Sequence, residues 1–150
     1  MKLCMIGTGY VGLVTGTCFS DLGNDVICVD HDSKKVADLK NGVIPIYEPG
    51  LDELVLKNYK NKRLKFSTDL KNSVLKSDIV FICVGTPTKK NGQGADLSQI
   101  YNVAKKIRSS ISRFKIIITK STVSVTTGDE IEKIILQKVS KKLFSVVSNP

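Results

Sequence analysis

Apolar residues in this chain come in short consecutive runs, separated by longer segments with helical spacing. Consecutive apolar residues, as opposed to alternating ones, are typical of strands that are covered on both faces. The six runs are residues 3–6, 26–29, 64–67, 79–84, 116–119 and 144–147. Their alternation with helical segments predicts an α/β protein with a Rossmann-type, doubly wound parallel sheet of strand order 3-2-1-4-5-6.

The segments between these runs carry the start and stop signals of helices. Gly23 is expected to end the first helix, because glycine is the usual residue after a helix C-terminus. Asp32 can cap the second helix, and either Asp96 or Ser98 can cap the fifth. Six helices are predicted, over or beginning near residues 10–22, 33–39, 51, 69, 98 and 127–139.

Length and composition are those of one globular domain. The chain has 150 residues, of which 41% are hydrophobic and 25% charged, as in an ordinary folded domain that needs no metal or disulfide. No apolar run approaches the roughly 20 residues that span a bilayer, so neither a membrane partner nor a signal peptide is expected. We therefore expect a cytoplasmic location.

The four cysteines and the single histidine give no sign of a metal site. Cys4, Cys18, Cys28 and Cys83 show no C-x-x-C spacing, and three of them lie in apolar runs. Because free cysteine behaves as a small hydrophobe, we expect reduced core residues. His31 follows a predicted strand between two aspartates, where an exposed loop position is expected.

The net charge of +9 raises the alternative of a nucleic-acid binder. The lysines are scattered along the chain, without a polybasic block or interleaved aromatic residues, a pattern typical of solvated helix faces. Nucleic acid is therefore not expected as a partner. A nucleic-acid binder would instead show an affinity that falls steeply with salt and does not respond to a dinucleotide.

A glycine-rich turn follows the first predicted strand and opens the first helix. Residues 7–12 read G-T-G-Y-V-G, in which Gly7 permits a tight turn, Gly9 lets the backbone approach a pyrophosphate, and Gly12 allows close packing of helix on strand. The amides of Tyr10 and Val11 then face the anion at the helix N-terminus. The pattern predicts a dinucleotide-binding turn.

The second predicted strand ends in an acid that completes this pattern. Asp30 lies 18 residues after Gly12 (30 − 12), close to the spacing expected of a carboxylate that binds the adenosine ribose. A 2′-phosphate would meet a like charge there, so the cofactor predicted is NAD and not NADP. Lys35 is a second candidate, either at the same ribose or phosphate or on an exposed helix face.

Two further turns follow predicted strands on the same sheet edge. Thr86 and Pro87 come after the fourth strand, and Thr122 comes after the fifth. Because open α/β sheets bind ligands at the carboxyl ends of their strands, all three are predicted to contact the cofactor. The alternatives are a loop shaped only by Pro87 and a helix-capping role for Thr122.

These motifs together resemble the UDP-glucose/GDP-mannose dehydrogenase family over essentially the whole chain. The matching segments are G-T-G-Y-V-G-L at 7–13, P-I-Y-E-P-G-L at 45–51, V-G-T-P at 84–87, K-S-T-V at 120–123 and S-N-P at 148–150. The sequence departs from the family pattern at Ser124, where the family has proline, and at Thr126, where it has glycine. The start of the last helix is therefore less certain than the position of Thr122. We do not expect Glu48 to be catalytic.

The resemblance implies an NAD-dependent enzyme that oxidises the C6 alcohol of a UDP-sugar, UDP-glucose by preference, to a carboxylate in two steps with two NAD. It implies that Thr122 orients a water or the sugar oxygen, and that a cysteine beyond Pro150 is the nucleophile. Residues 1–150 are thus expected to be the NAD-binding domain of a longer enzyme, lacking the central helix and the UDP-sugar domain. The fragment should bind NAD without activity, and the whole enzyme should be a homodimer.

Other functions remain open on the sequence alone. GDP-mannose and UDP-N-acetylmannosamine are alternative substrates within the resemblance. A free-standing NAD-sensing Rossmann module, which never performs chemistry, is an alternative from a different class. Continuation of the native chain past Pro150 into E-F-L would exclude that module, whereas a native stop would favour it.

Overall fold

The computed structural model describes residues 1–89, 92, 94–124 and 126–150. Strands and helices alternate along most of the chain. In chain order the elements are β1 (Lys2–Ile6), α1 (Tyr10–Asp21), β2 (Asp25–Val29), α2 (Ser33–Lys40), α3 (Leu51–Lys60), β3 (Leu64–Ser67), α4 (Leu70–Lys76), β4 (Ile79–Ile82), α5 (Ser98–Arg108), β5 (Lys115–Thr119), α6 (Thr127–Leu136), a short 3-10 helix (Lys141–Leu143) and β6 (Phe144–Ser148).

The six strands form one parallel sheet in the order β3-β2-β1-β4-β5-β6. This is the predicted fold and strand order. The order reverses between β1 and β4, which makes the gap beyond their carboxyl ends the switch point where such sheets bind ligands.

The sheet has a separate hydrophobic core on each face, and β1 contributes to both. Successive side chains of a strand point to opposite faces, so Cys4 and Ile6 pack into one core while Leu3 and Met5 pack into the other. The first core holds residues of α4, α5 and α6, and the second holds residues of α1, α2 and α3. This two-sided burial explains why the strands read as continuous apolar runs.

Aspartate side chains accept backbone N–H groups at the starts of α2 and α5. The Asp32 carboxylate accepts the backbone N–H groups of Lys34 (2.9 Å) and Lys35 (3.1 Å) at the start of α2. At the start of α5, neither Asp96 nor Ser98 is the N-cap, because that position is occupied by Leu97 and has no side-chain cap. The Asp96 carboxylate, one residue earlier, accepts the N–H of Ser98 at 2.9 Å. Both contacts satisfy amides that have no partner within the helix.

Some predicted boundaries need correction. β4 ends at Ile82 and not at Val84, because the Val84 carbonyl accepts the Ser121 hydroxyl (2.7 Å) outside the sheet ladder. α6 begins at Thr127 as predicted but ends at Leu136 and not near Val139. The residues after Leu136 form a turn in which the amide of Val139 still bonds to Ile135 (3.1 Å), so Val139 packs in the core without being helical.

The start of α6 is held by hydroxyl groups at the positions that depart from the family pattern. The Ser124 carbonyl accepts the N–H of Thr127 at 2.9 Å, and the Ser124 hydroxyl lies 3.0 Å from the Thr127 hydroxyl and 3.3 Å from that of Thr126. These hydrogen bonds link Ser124 to the first residues of α6.

A lysine is fully buried at the opposite, amino edge of the sheet. Lys115, the first residue of β5, donates its ammonium to the carbonyls of Ser77 (2.6 Å) and Leu75 (3.4 Å) at the end of α4. Desolvation and the neighbouring Arg113 lower the pKa of Lys115, against the opposing charge of Asp78. The side chain acts as a C-terminal cap for α4.

Within the described part of the chain, no helix combines the length and apolarity that a membrane crossing requires. Over the same residues, no group of three or more His, Cys, Asp or Glu side chains gathers in a way that could hold a metal ion.

Candidate functional site

A cleft of about 530 Å³ opens at the carboxyl edge of the sheet, beyond the ends of β1, β2 and β4. Its floor is formed by the strand ends at Ile6, Val29 and Cys83. The cleft lies at the switch point between β1 and β4, so the fold itself creates the space for a ligand.

The glycine turn forms one wall of this cleft, and its geometry requires glycine at two positions. Gly7 has φ +104°, and a Cβ there would lie 2.8 Å from the Cys83 carbonyl oxygen. A Cβ on Gly12 would lie 1.9 Å from the Gly7 carbonyl oxygen. Gly9 differs, because a Cβ there would meet nothing within 4 Å. That open space leaves its backbone accessible to a ligand.

The start of α1 presents free backbone amides beside the turn. The first hydrogen bond of the helix runs from the Leu13 amide to the Gly9 carbonyl (2.9 Å), so the amides of Tyr10 and Val11 precede it and have no partner within the helix. Such a helix start favours an anion. Tyr10 and Val11 do not line the cleft with their side chains. A contact from them would be through the backbone.

Asp30 is held across the glycine turn by Thr8. Its Oδ2 atom accepts the Thr8 hydroxyl (2.6 Å) and the Thr8 backbone N–H (3.0 Å), and its Oδ1 accepts the Asp32 N–H (3.2 Å). Thr8 is fully buried and Asp30 is 8% exposed. Because Thr8 lies between Gly7 and Gly9, this contact fixes the acid at the end of β2 relative to the turn after β1.

Hydrogen bonding keeps the Asp30 carboxylate ionised although it is largely buried. Burial alone raises the pKa of Asp30, but the hydroxyl and amide of Thr8, the amide of Asp32 and the charge of Lys35 lower it by more. The net pKa lies far below the usual range of an aspartate. The site therefore offers a fixed negative charge and hydrogen-bond acceptor at any physiological pH.

Two cationic or titratable side chains flank this acid. Lys35 is 28% exposed, and its ammonium lies 3.2 Å from Oδ2 of Asp30. Lys35 therefore lies toward the cleft, partly exposed beside Asp30, and its contact with the ribose or phosphate stays a prediction. His31 is almost fully exposed and lies with its Nδ1 3.2 Å from Oδ1 of Asp30, which agrees with the loop position predicted for it.

The loops after β4, β5 and β6 are tied together on the other side of the cleft. The Ser121 hydroxyl donates to the Val84 carbonyl (2.7 Å), and the Lys120 ammonium donates to the Asn149 side chain (3.0 Å). Gly85 lines the cleft, whereas Thr86, Pro87 and Thr122 lie outside its lining. Thr122 is exposed and Thr86 is half-buried. These three residues lie in the loops at this edge, but their contact with a cofactor stays a prediction.

The structure thus brings together Gly7, Gly9, Asp30 and Lys35, and adds residues that the sequence analysis missed. In the sequence, the only sign of the role of Thr8 is that a hydroxyl residue lies inside the glycine motif. The structure places it opposite Asp30. The far wall is one face of α5 with spacing i, i+3, i+4, i+7: Gln99, Asn102, Val103 and Lys106. No motif marks that face, because its position depends on how α5 packs against the sheet.

Three of the four cysteines are core residues, as expected, and all four are free thiols. Cys4, Cys28 and Cys83 are buried, but Cys18 lies on the exposed face of α1, so the core position expected of it is wrong. Burial raises the pKa of Cys4 and of Cys83 to about 12, and that of Cys28 higher still. A thiol with such a pKa carries almost no nucleophilic thiolate near neutral pH, so these three are not candidate nucleophiles.

Comparison with known proteins places this site in context. The sequence profile of the UDP-glucose/GDP-mannose dehydrogenase family, NAD binding domain, matches residues 1–150. A UDP-glucose 6-dehydrogenase of Rhizobium meliloti is 53% identical over 100% of the chain, and the UDP-glucose 6-dehydrogenase TuaD of Bacillus subtilis is 52% identical over 99%. The chain spans 34% and 32% of the length of these two relatives, about a third.

Solved structures give the same result at the level of the fold. A ternary complex of GDP-mannose dehydrogenase from Pseudomonas aeruginosa superposes with a TM-score of 0.94 at 39% identity, covering 100% of this chain and 36% of that one. A UDP-glucose dehydrogenase from Pyrobaculum islandicum superposes with a TM-score of 0.92 at 34% identity, covering 99% and 35%. The cleft and glycine turn described above therefore lie in a shared architecture.

Proposed function

This chain belongs to the UDP-glucose/GDP-mannose dehydrogenase family, whose NAD-binding domain it matches from end to end, and we propose that it binds NAD in the cleft at the β1/β4 switch point. The observation that carries this proposal is the ionised Asp30, held by Thr8 beside the glycine turn. We further propose that residues 1–150 are the cofactor domain of a longer UDP-glucose 6-dehydrogenase.

The proposed binding mode follows from the charges in the cleft. The pyrophosphate lies over Gly9 and the amides of Tyr10 and Val11, where the helix start favours negative charge. The ribose hydroxyls of the adenosine donate to Asp30, and Lys35 lies close enough to contribute to either the ribose or the phosphates. A 2′-phosphate would face the Asp30 carboxylate, which gives NAD its preference over NADP.

The nicotinamide end is proposed to lie toward the loops after β4 and β5. Thr86, Pro87 and Thr122 would then contact the cofactor, and the Thr122 hydroxyl would orient a water or the sugar oxygen for reaction. The Ser121 bond to the Val84 carbonyl supports this arrangement, because it holds the two loops in register.

Oxidation of a primary alcohol to a carboxylate removes four electrons and adds one oxygen atom from water. NAD, when bound, supplies the hydride acceptor for each of the two oxidation steps, so two NAD are consumed. The residues described here provide binding and orientation. The covalent chemistry is proposed to reside outside residues 1–150. In support, Cys83 is the one cysteine that lines the described cleft, and burial raises its pKa to about 12.

A parallel calorimetric titration with NAD and NADP tests the cofactor assignment. Asp30→Ala should weaken NAD binding about 10- to 100-fold, because two hydrogen bonds to a charged group are lost, and should abolish the preference over NADP. Asp38→Ala removes a partly exposed acid of α2 that pairs with Lys34 outside the cleft and is the control, with NAD affinity unchanged. Equal NAD and NADP affinity in the unaltered chain would contradict the role of Asp30.

The sugar nucleotide requires a test on the full-length enzyme. The identity to UDP-glucose 6-dehydrogenases favours UDP-glucose, while the close superposition on a GDP-mannose dehydrogenase favours GDP-mannose as a second candidate. NADH formation should be fastest with UDP-glucose among UDP-glucose, GDP-mannose and UDP-N-acetylmannosamine. NAD binding without turnover of any of them would favour an NAD-sensing module. A homodimeric full-length enzyme and a cytoplasmic location stay predictions.

A further inference from the structure

The segment between α2 and α3, residues 43–49, lies against the glycine-turn end of α1, and we call it the strap. Exposure alternates along it. Its exposed residues are Val43, Pro45, Tyr47 and Pro49, and its half-buried residues are Ile44, Ile46 and Glu48. The two isoleucines pack on the core that contains α1, α2 and α3. The strap thus has an inner face, and the only charged residue on that face is Glu48.

Backbone hydrogen bonds anchor the two ends of the strap. The Val43 amide bonds to the Asp38 carbonyl (2.9 Å), and the Glu48 carbonyl accepts the Leu51 amide (3.0 Å) where α3 begins. Within the described residues, a side-chain hydrogen bond also joins the strap to α1, between Glu48 and Tyr10. The Tyr10 hydroxyl donates to the Glu48 carboxylate.

This contact lies at the end of α1 that is proposed to face the pyrophosphate. Tyr10 is the first residue of α1, and side chains on a helix tilt toward its N-terminus, here toward the carboxyl edge of the sheet. A carboxylate near this position disfavours an anionic ligand by simple charge repulsion. By its charge alone, Glu48 should therefore weaken the binding of an anion. Its hydrogen bond to Tyr10 is a favourable effect that can offset this loss.

We propose that Glu48 is a positioning residue of the cofactor site, which acts through Tyr10 to hold the strap against the first turn of α1, whose backbone amides are proposed to face the pyrophosphate. The proposal rests on the proposed function, because it needs the dinucleotide to lie over that turn. It is a structural role: Glu48 does not touch the reacting atoms.

The contact between Tyr10 and Glu48 can be followed by spectroscopy, because it changes the pKa of Tyr10. The hydrogen bond to Glu48 raises the pKa of Tyr10, with desolvation and the carboxylate charge acting in the same direction. The chain contains four tyrosines and no tryptophan, so tyrosine absorbance and emission can be followed directly. Tyr10→Phe identifies the contribution of Tyr10 to both signals.

The test compares Glu48→Ala, Glu48→Gln and the control Glu53→Ala by NAD calorimetry and by stopped-flow displacement of NADH. Glu53 is an exposed acid in the first turn of α3, so its removal deletes the same charge nearby without touching the strap contact. Coulomb repulsion alone predicts tighter NAD binding when either acid is removed. The positioning role predicts the opposite for Glu48→Ala.

The expected result is that Glu48→Ala weakens NAD binding about three- to tenfold, the worth of one partly exposed hydrogen bond, through faster dissociation. Glu48→Gln keeps an acceptor for Tyr10 and should bind NAD at least as tightly as the unaltered chain. In an alkaline absorbance titration, the pKa of Tyr10 should fall toward the ordinary value of about 10 in Glu48→Ala.

Two results would overturn the proposal. A lowered Tyr10 pKa in Glu48→Ala with unchanged or tighter NAD binding would show that the contact exists but does not serve the site. A Tyr10 pKa unaffected by Glu48→Ala would show that the contact is not formed in solution. Failure of the unaltered chain to bind NAD is a different outcome, because it removes the proposed function and this inference with it.

Discussion

At the scale of single residues, the most consequential contact is the pair formed by Thr8 and Asp30. Thr8 supplies both a hydroxyl and an amide to one carboxylate oxygen, and the two residues lie on neighbouring strand ends. Asp30 was predicted from its spacing to the glycines. Thr8 was not, because a threonine in the variable position of the motif has no distinctive pattern until β1 and β2 are paired.

Replacing Thr8 by valine removes the hydroxyl while keeping the shape of the side chain. We expect a loss of about 1.5–3 kcal/mol in unfolding free energy near neutral pH, the worth of a hydrogen bond to a charged group. The pKa of Asp30 is lower in the folded than in the unfolded chain, so its stabilisation is complete above the unfolded value of about 3.9 and is lost as pH falls below it.

Denaturant unfolding of the unaltered chain, Thr8→Val, Asp30→Asn and the double variant at about pH 7 checks this expectation. Thr8→Val should cost clearly less free energy in the Asp30→Asn background, where the charged acceptor is absent. Thr8→Ser keeps the hydroxyl and should retain most of the stability. If the valine substitution cost the same free energy in both backgrounds, the loss would come from packing and not from Asp30.

At the scale of elements, the glycine turn and α1 form one unit in which two glycines have different functions. A Cβ on Gly12 would collide with the Gly7 carbonyl oxygen, whereas a Cβ on Gly9 would enter open space. The requirement for glycine at position 12 comes from packing, whereas the surrounding structure leaves room for a side chain at position 9. Under the proposed binding mode, the same motif would serve both the fold and the binding of the dinucleotide.

Alanine at these two positions should separate the functions. Gly12→Ala should cost about 2 kcal/mol or more, because overpacking of a close backbone contact outweighs the helix preference of alanine. Gly9→Ala should leave the midpoint of unfolding nearly unchanged and weaken NAD binding at least tenfold, since its Cβ occupies the expected pyrophosphate position. Denaturant melts and calorimetry on both variants measure this, and normal NAD affinity in Gly9→Ala would contradict the binding mode.

The sequence predicted the type and order of nearly every element, because the period of apolar residues changes between strands and helices. The boundaries it missed depend on contacts between elements. Val84 leaves β4 because Ser121 takes its carbonyl, and this bond crosses 37 residues of sequence. Lys115 reads as a solvated charge before an apolar run, and its burial follows only from the position where α4 ends.

At the scale of the whole molecule, the two cores share a single sheet. Leu13 and Ile131 lie fully buried on opposite faces of it, and β1 contributes alternate residues to both cores. Loss of either core exposes one face of the same hydrogen-bonded strands. We therefore expect the chain to unfold as one cooperative unit.

Leu13→Ala and Ile131→Ala test this cooperativity. Each should cost about 2–5 kcal/mol through lost burial and the cavity left behind. In calorimetry each should shift one transition to lower temperature and keep the calorimetric enthalpy equal to the van't Hoff enthalpy. Two separated transitions in either variant would show that the halves of the sheet unfold independently.

Because all strands of the sheet are parallel, the chain begins at one edge of the sheet and ends at the other. Met1 enters at the amino edge, where its terminal amine bonds to Asn24, and Asn149 emerges at the carboxyl edge, where its amide bonds to Thr119. Along the strand direction, the two termini are thus separated by about the length of a strand, on the order of 15 Å. They also lie three strands apart across the sheet, because β1 is central and β6 is an edge strand. A reporter fused before Met1 would therefore lie on the edge of the sheet opposite the cleft, whereas one fused after Pro150 would lie on the same edge as the cleft.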